Sequence, residues 1–125
     1  MYHIEVLQRK LDQLMKEPDN PDLYNDIGVL LYQLKDWHNA EMYLQKAYQL
    51  DSSNKDVLYN YAQLLNEQYQ WEKSISIYTA YLDMEPNDIE VIQKVGNTCY
   101  LIGDYQKAQK FYEQLKVNGE ENLDR

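Results

Sequence analysis

Apolar residues along this chain recur at steps of three and four, and runs of helix-stopping residues cut the pattern into seven stretches. In residues 2–16, Ile4, Leu7, Leu11 and Leu14 share one face while Glu5, Gln8, Arg9, Asp12 and Lys16 take the other, which predicts an amphipathic helix. Glu17-Pro18-Asp19-Asn20 ends it. Pro21 then opens the next helix, where its missing N–H costs nothing, behind an Asn20 cap. From Pro21 to about Leu34 the stripe is Leu23, Tyr24, Ile27, Leu30 and Leu31. Lys35-Asp36 is a short turn. Asp36 is expected to cap a helix from Trp37 to about Leu50, with Trp37, Ala40, Tyr43, Leu44 and Ala47 inward. After Asp51-Ser52-Ser53-Asn54 the pattern restarts, predicting helices at about 55–68 and 71–84. Beyond Glu85-Pro86-Asn87-Asp88 it predicts two more, at about 89–102 and 105–117. Gly103-Asp104 reads as a C-terminal glycine followed by an N-cap. Connections of two to four residues require consecutive helices to run antiparallel and stay in contact.

The landmarks return at a step of 34. Gly28 is followed by Ala62 and Gly96, Ala40 by Ser74 and Ala108, and Trp37 by Trp71 and Tyr105. The caps Asn20, Asn54 and Asp88 keep the same step. A 34-residue helix–turn–helix unit with these residues resembles the tetratricopeptide repeat (TPR) over about 21–119. The resemblance implies an all-α, TPR-type α-solenoid of about seven antiparallel helices in a right-handed superhelix. The expected plan is one domain, 1–125, with a covering helix at 2–16. Repeats at 21–54, 55–88 and 89–119 and a tail at 120–125 follow. The small residues Gly28, Ala62 and Gly96 are expected to face Ala40, Ser74 and Ala108, with Trp37, Trp71 and Tyr105 filling the wedge by the turn. Tyr81 departs from the pattern, because the family usually has alanine there. At the far end Asn122 falls where a fourth unit would be capped, and no polar capping helix is recognisable. Phe111, Tyr112, Leu115 and Val117 are therefore expected to be partly open, as in a piece of a longer protein or a face covered by another copy.

Composition narrows the function. Lys plus Arg is 12 and Asp plus Glu 21, giving a net charge of −9, which argues against nucleic acid and membrane partners. A single cysteine, Cys99, forms no internal disulfide, and it holds a core position rather than that of a nucleophile. The N-terminus lacks a signal-peptide pattern and no apolar run is long enough to span a bilayer, so a cytoplasmic protein is expected. His3 and His38 stand apart from cysteines and paired carboxylates, and no phosphate loop or catalytic triad is present. No cofactor, no metal and no enzymatic activity are expected.

The family's usual binding surface is a concave groove lined by the first helix of each pair. On this sequence the resemblance assigns it Asp22, Asn25, Asp26, Val29 and Tyr32, then Asp56, Tyr59, Asn60, Gln63, Asn66 and Glu67. The third unit adds Glu90, Gln93, Lys94, Asn97, Tyr100 and Leu101. Amides can donate to and accept from an extended peptide backbone, and tyrosine adds flat contact area at low entropic cost. Five carboxylates against Lys94 favour a basic or neutral segment. One branch of the family clamps the C-terminal carboxylate of heat-shock chaperones, but Asn25, Val29 and Glu90 stand at clamp positions and argue against that ligand. The expected function is thus a non-catalytic scaffold for a protein or peptide. The alternatives are self-assembly through the open terminal faces, and an accessory domain of a larger enzyme.

Overall fold

The computed structural model describes the backbone of Tyr2–Leu123 and the side chains of Tyr2–Val117. Seven α-helices make up the described residues: α1 Tyr2–Lys16, α2 Pro21–Gln33, α3 Trp37–Leu50, α4 Lys55–Glu67, α5 Trp71–Met84, α6 Ile89–Leu101 and α7 Tyr105–Leu123. The expected boundaries hold to within one residue except at the end. There α7 continues to Leu123, through most of the segment expected to be a tail. The expected cap Asn122 lies outside the described side chains.

Two kinds of junction set the helix ends. Between repeats, a side chain caps the incoming helix. Asn20 accepts from the Asp22 N–H at 3.0 Å, Asn54 from Asp56 at 3.0 Å and Val57 at 3.3 Å, and Asp88 from Val91 at 3.2 Å. Within repeats the backbone closes the turn. The N–H groups of Asp36, Gln70 and Asp104 reach back to the carbonyls of Leu31, Leu65 and Cys99, each at 2.9 Å. The residue before each donor is left-handed: Lys35 at φ 64°, Tyr69 at 61° and Gly103 at 84°. Asp36 does not cap α3 as expected. Its carboxylate accepts the Asn39 side-chain amide at 2.9 Å instead, so the N-terminal N–H groups of α3 get nothing from it. Asp104, with no such competitor, accepts from the Lys107 N–H at 3.2 Å.

Proximity along the fold divides the chain into two compact units, Met1–Leu64 and Leu65–Arg125, with the division inside α4. In the first unit Leu23, Ile27 and Leu31 of α2 are buried with Ala40, Leu44 and Ala47 of α3. Burying a leucine such as Leu44 stabilises by roughly 1.5–3 kcal/mol. Gly28 makes this crossing possible, but the side chain pressed on it is Leu44, one turn beyond the expected Ala40: a Cβ at Gly28 would lie 2.6 Å from Leu44 Cγ. Helical side chains lean towards the N-terminus, so Leu44 covers the patch above Ala40. Tyr24 packs on Tyr43, and Tyr48 of α3 on Tyr61 of α4, with ring centroids 5.9 and 5.6 Å apart. α1 lies along α2, tied by Lys10 to Asp26 at 3.0 Å. Its stripe covers less than expected: Ile4 is exposed, Leu7, Leu11 and Leu14 are half-buried, and no residue of α1 is fully buried.

In the second unit Ser74, Ile77 and Tyr78 of α5 and Val91, Ile92, Val95 and Cys99 of α6 are buried, whereas among the described side chains of α7 only Ala108 is. Gly96 repeats the logic of Gly28. Tyr112 and Phe111 lie over it, with Tyr112 Cε1 at 2.9 Å from where a Cβ would stand. The unusual Tyr81 braces the junction into α6. Its hydroxyl donates to Asp88 Oδ2 at 2.6 Å, while Oδ1 of the same carboxylate caps that helix. The turn aromatics sit less deeply than the wedge role requires. Trp37 and Trp71 are half-buried and Tyr105 is exposed. Each meets a tyrosine edge-on: Tyr32, Tyr69 and Tyr100, at 5.3, 5.3 and 5.2 Å.

Candidate partner-binding surface

The first helix of a pair turns one face to its hairpin partner, and its remaining polar face carries the candidate residues. In the first unit that face is formed by α2 and the part of α4 up to Leu64. Two polar rungs join them. Asn54 donates to Asp22 at 3.4 Å, and the Asn60 amide donates to Asn25 Oδ1 at 3.1 Å. The second rung is the chemically informative one. Each amide carries a donor and an acceptor, so Asn25 keeps its NH2 group and Asn60 its oxygen, side by side on a half-buried surface. Val29, Tyr32, Tyr59 and Gln63 are also half-buried, and Asp56 is exposed. Tyr32 is held by its edge contact with Trp37. Asp26, by contrast, faces α1 through its ion pair with Lys10.

The second unit uses its amides differently. Asn66, near the end of α4, donates to the buried Thr98 hydroxyl at 3.1 Å, and that hydroxyl donates on to the Lys94 carbonyl at 2.8 Å. Asn97 accepts the Tyr112 hydroxyl at 2.7 Å and so faces α7. Glu90, Gln93 and Tyr100 are exposed and Lys94 is half-buried. Thr98 and Tyr112, which hold these amides, were not singled out for that purpose by sequence patterning. The signal available was the 34-residue step, which aligns Asn66 with Tyr32 and Tyr100 rather than with a core position.

Among the described residues no three His, Cys, Asp or Glu side chains are placed to hold a metal ion. Cys99 is buried, and desolvation pushes its thiol above the ordinary value of 9.0. The charge of Asp104 adds to the rise and that of Lys107 opposes it. The thiol is therefore protonated at neutral pH and packs as a small apolar group. No helix among the described residues is long and apolar enough to cross a membrane.

Repeated antiparallel hairpins with small residues at each crossing, capped every 34 residues, define an all-α protein of the TPR α-solenoid class. The chain belongs to the tetratricopeptide-repeat family: residues 11–125 match the family model described as the cytochrome c-type biogenesis protein H TPR domain. Among curated proteins it is similar to the BBSome complex member BBS4 of Bos taurus, 35% identical over 92 residues. That match covers 64% of this chain and 18% of BBS4, so the chain corresponds to under a fifth of that relative's length. Among solved structures it resembles MamA, with a TM-score of 0.86 at 16% identity over 98% of this chain and 72% of that one. It also resembles YrrB, described as a TPR protein with an unusual peptide-binding site. There the TM-score is 0.79 at 19% identity, over 94% of this chain and 60% of that one. These two likenesses concern the fold.

Proposed function

We propose that this chain is a non-catalytic protein-interaction scaffold that holds a peptide or partner segment against the polar faces of its first helices. The observation that carries this reading is the Asn60–Asn25 rung, which leaves one amide donor and one amide acceptor side by side. An extended peptide offers a carbonyl and an N–H at comparable spacing, so the rung can take both from one residue. Val29, Tyr32 and Tyr59 supply apolar area around it. Asp22, Asp56 and Glu90 are all exposed, which favours a basic or neutral segment over an acidic one. In the second unit the exposed Glu90, Gln93 and Tyr100 are the residues we assign to contact, while Asn66, Asn97 and the Lys94 carbonyl take part in the fold's own hydrogen bonds. Membership of BBS4 in a complex and the peptide-binding site of YrrB are consistent with a scaffold role for this architecture.

The test starts with capture by the immobilised chain and mapping of the bound segment to a synthetic peptide. Asn60→Ala is then expected to weaken that peptide by about fivefold to tenfold, the loss of one or two hydrogen bonds. Asp56→Lys with Glu90→Lys is expected to weaken a basic peptide further at low salt. Unchanged affinity in both variants, with folding intact by circular dichroism, removes the groove reading.

A further inference from the structure

Two consecutive turns of the second unit, α4–α5 and α6–α7, leave a cleft of about 380 Å³ between them. Tyr69, Gln70, Trp71, Glu72 and Lys73 line it from the first turn and Ile102 from the second. The cleft lies between repeats rather than at an end of the array, and it shares no residue with the peptide surface.

Its aromatic wall is built in a way the other repeats are not. In repeats 1 and 3 the turn aromatic, Trp37 or Tyr105, is met edge-on by a tyrosine of the first helix, Tyr32 or Tyr100. The middle repeat has Asn66 at that position, and Asn66 is committed to Thr98. The edge contact to Trp71 comes instead from Tyr69 in the turn, with ring centroids 5.3 Å apart and planes at 63°. Tyr69 holds a left-handed backbone, φ 61°, where repeat 1 has Lys35 and repeat 3 has Gly103. Glycine takes that conformation freely, whereas a bulky side chain is strained in it. The residue is 76% exposed, so core packing does not account for a tyrosine there. Strain of this kind gathers where a side chain is held ready for a ligand.

The lining selects the chemistry. Glu72 and Lys73 balance each other at the rim, which favours a neutral ligand over a charged one. The two rings and Ile102 offer apolar faces. Among the described residues nothing accepts a hydrogen bond from the Tyr69 hydroxyl or the Trp71 indole N–H. The indole can only donate, and the phenol donates as well. The matching partner is neutral, apolar along its flanks and rich in carbonyl oxygen. A proline-rich segment is all three, because each proline brings an apolar ring and a carbonyl and no N–H in need of an acceptor. Its polyproline II helix is ordered before it binds, so a shallow cleft does not have to order it. We propose that the cleft between the α4–α5 and α6–α7 turns docks a proline-rich segment of another protein. Its proline rings lie on Tyr69 and Trp71 against Ile102, and one of its carbonyls takes the Trp71 indole N–H. This site does not depend on the peptide surface.

The probe is synthetic decaproline, titrated into the isotopically labelled full chain. It is expected to shift the indole resonance of Trp71 saturably and to leave that of Trp37 in place, the Trp71→Phe spectrum assigning the two. Tyr69→Gly is expected to weaken binding about tenfold. Its melting temperature should be no lower than that of the unaltered chain, because glycine suits the left-handed turn, and this separates use of the ring from a structural role. Trp71→Phe keeps a ring, loses the N–H and is expected to weaken binding about fivefold. A glycine–serine decapeptide should leave both indole resonances unmoved. No Trp71 shift at millimolar decaproline, an equal shift with the glycine–serine peptide, or unchanged affinity in Tyr69→Gly overturns the proposal. So does a preference for deca-arginine, which would put a cation on the rings. The outcome with Asn60→Ala bears on the peptide surface alone.

Discussion

Replacing Gly28 by alanine adds one methyl group where α2 crosses α3, and two opposing effects set the result. The substitution gains about 1 kcal/mol of helix propensity. Against that, the new Cβ stands 2.6 Å from Leu44 Cγ, 2.8 Å from Cδ2 and 3.3 Å from the Leu44 backbone nitrogen. Carbon atoms pack comfortably at about 3.5–4.0 Å, so Leu44 must move by most of an ångström. It has nowhere to go, being 1% exposed between Ala40 and Ala47, both fully buried. Overpacking of this kind costs about 1–3 kcal/mol, and the confinement of Leu44 puts the cost towards the upper end, leaving Gly28→Ala destabilised by up to about 2 kcal/mol.

Gly96 provides the internal control. Its Cβ would meet Tyr112 Cε1 at 2.9 Å and Phe111 Cβ at 3.3 Å, but the Tyr112 ring borders an open cavity and can swing aside once its bond to Asn97 is given up, and Phe111 need give only a few tenths of an ångström. The loss is then the bond to Asn97, about 1 kcal/mol, which the propensity gain offsets. Urea titration by circular dichroism should therefore show Gly28→Ala clearly destabilised and Gly96→Ala near neutral. Because repeats unfold in part independently, hydrogen exchange at Ile27 and Val95 checks that each effect sits in its own unit. Gly28→Ala combined with Leu44→Ala should cost less than the sum of the two single changes. A stabilised Gly28→Ala, or equal losses at both glycines, would falsify the claim that Leu44 rests on Gly28.

Three further outcomes follow from the same structure. Gly103 is left-handed with open space around it, so Gly103→Ala should cost about 1 kcal/mol from backbone strain alone. Tyr69→Gly, at the equivalent left-handed position, should regain a similar amount less its contact with Trp71, as thermal melts will record. Asn54→Ala removes an oxygen that caps two N–H groups and should cost about 1 kcal/mol, while Asp36→Ala, which caps none, should cost clearly less in the same urea titration. Burial holds the Cys99 thiol neutral and raises its pKa, so the folded state retains a proton that the unfolded state releases. Its contribution is fully present below 9.0, the ordinary value, and is lost as pH rises beyond it; Cys99→Ala should flatten the alkaline fall in stability.

The helices were legible because each rests on signals that act locally. A three-and-four stripe, a capping residue and a left-handed turn do not need the rest of the chain. The 34-residue step added which positions meet, and Gly28 and Gly96 do lie at crossings. What the step left out is direction. The family pattern pairs Gly28 with Ala40, yet a helical side chain leans back one turn, so Leu44 occupies the contact. Asp36 shows a second limit. Its residue type suits a cap, but Asn39 competes for the same carboxylate, and only coordinates reveal which donor wins. The polar surface was legible as a set of residues and not as an arrangement. Asn25 and Asn60 pair with each other, Asn66 with Thr98 and Asn97 with Tyr112, and no residue type announces its partner 15 to 35 positions away.

The candidate surface mixes positions of two kinds, and they carry different information. Asp22, Asp56 and Glu90 are acidic in all three copies, each in the first turn of its helix. A carboxylate there favours the helix by about 0.3–1 kcal/mol through the macrodipole, so the architecture alone accounts for it. The acidic rim is then a by-product of starting a helix three times, available to attract basic segments without specifying one. The positions one turn on behave otherwise. Residues 25, 59 and 93 are Asn, Tyr and Gln; residues 29, 63 and 97 are Val, Gln and Asn. Helix capping does not dictate these half-buried or exposed sites, and the three copies have filled them differently. In the proposed binding mode a segment held on either unit meets side chains that differ from copy to copy, so selectivity would reside in them, while the carboxylates would set only the sign of the charge preferred.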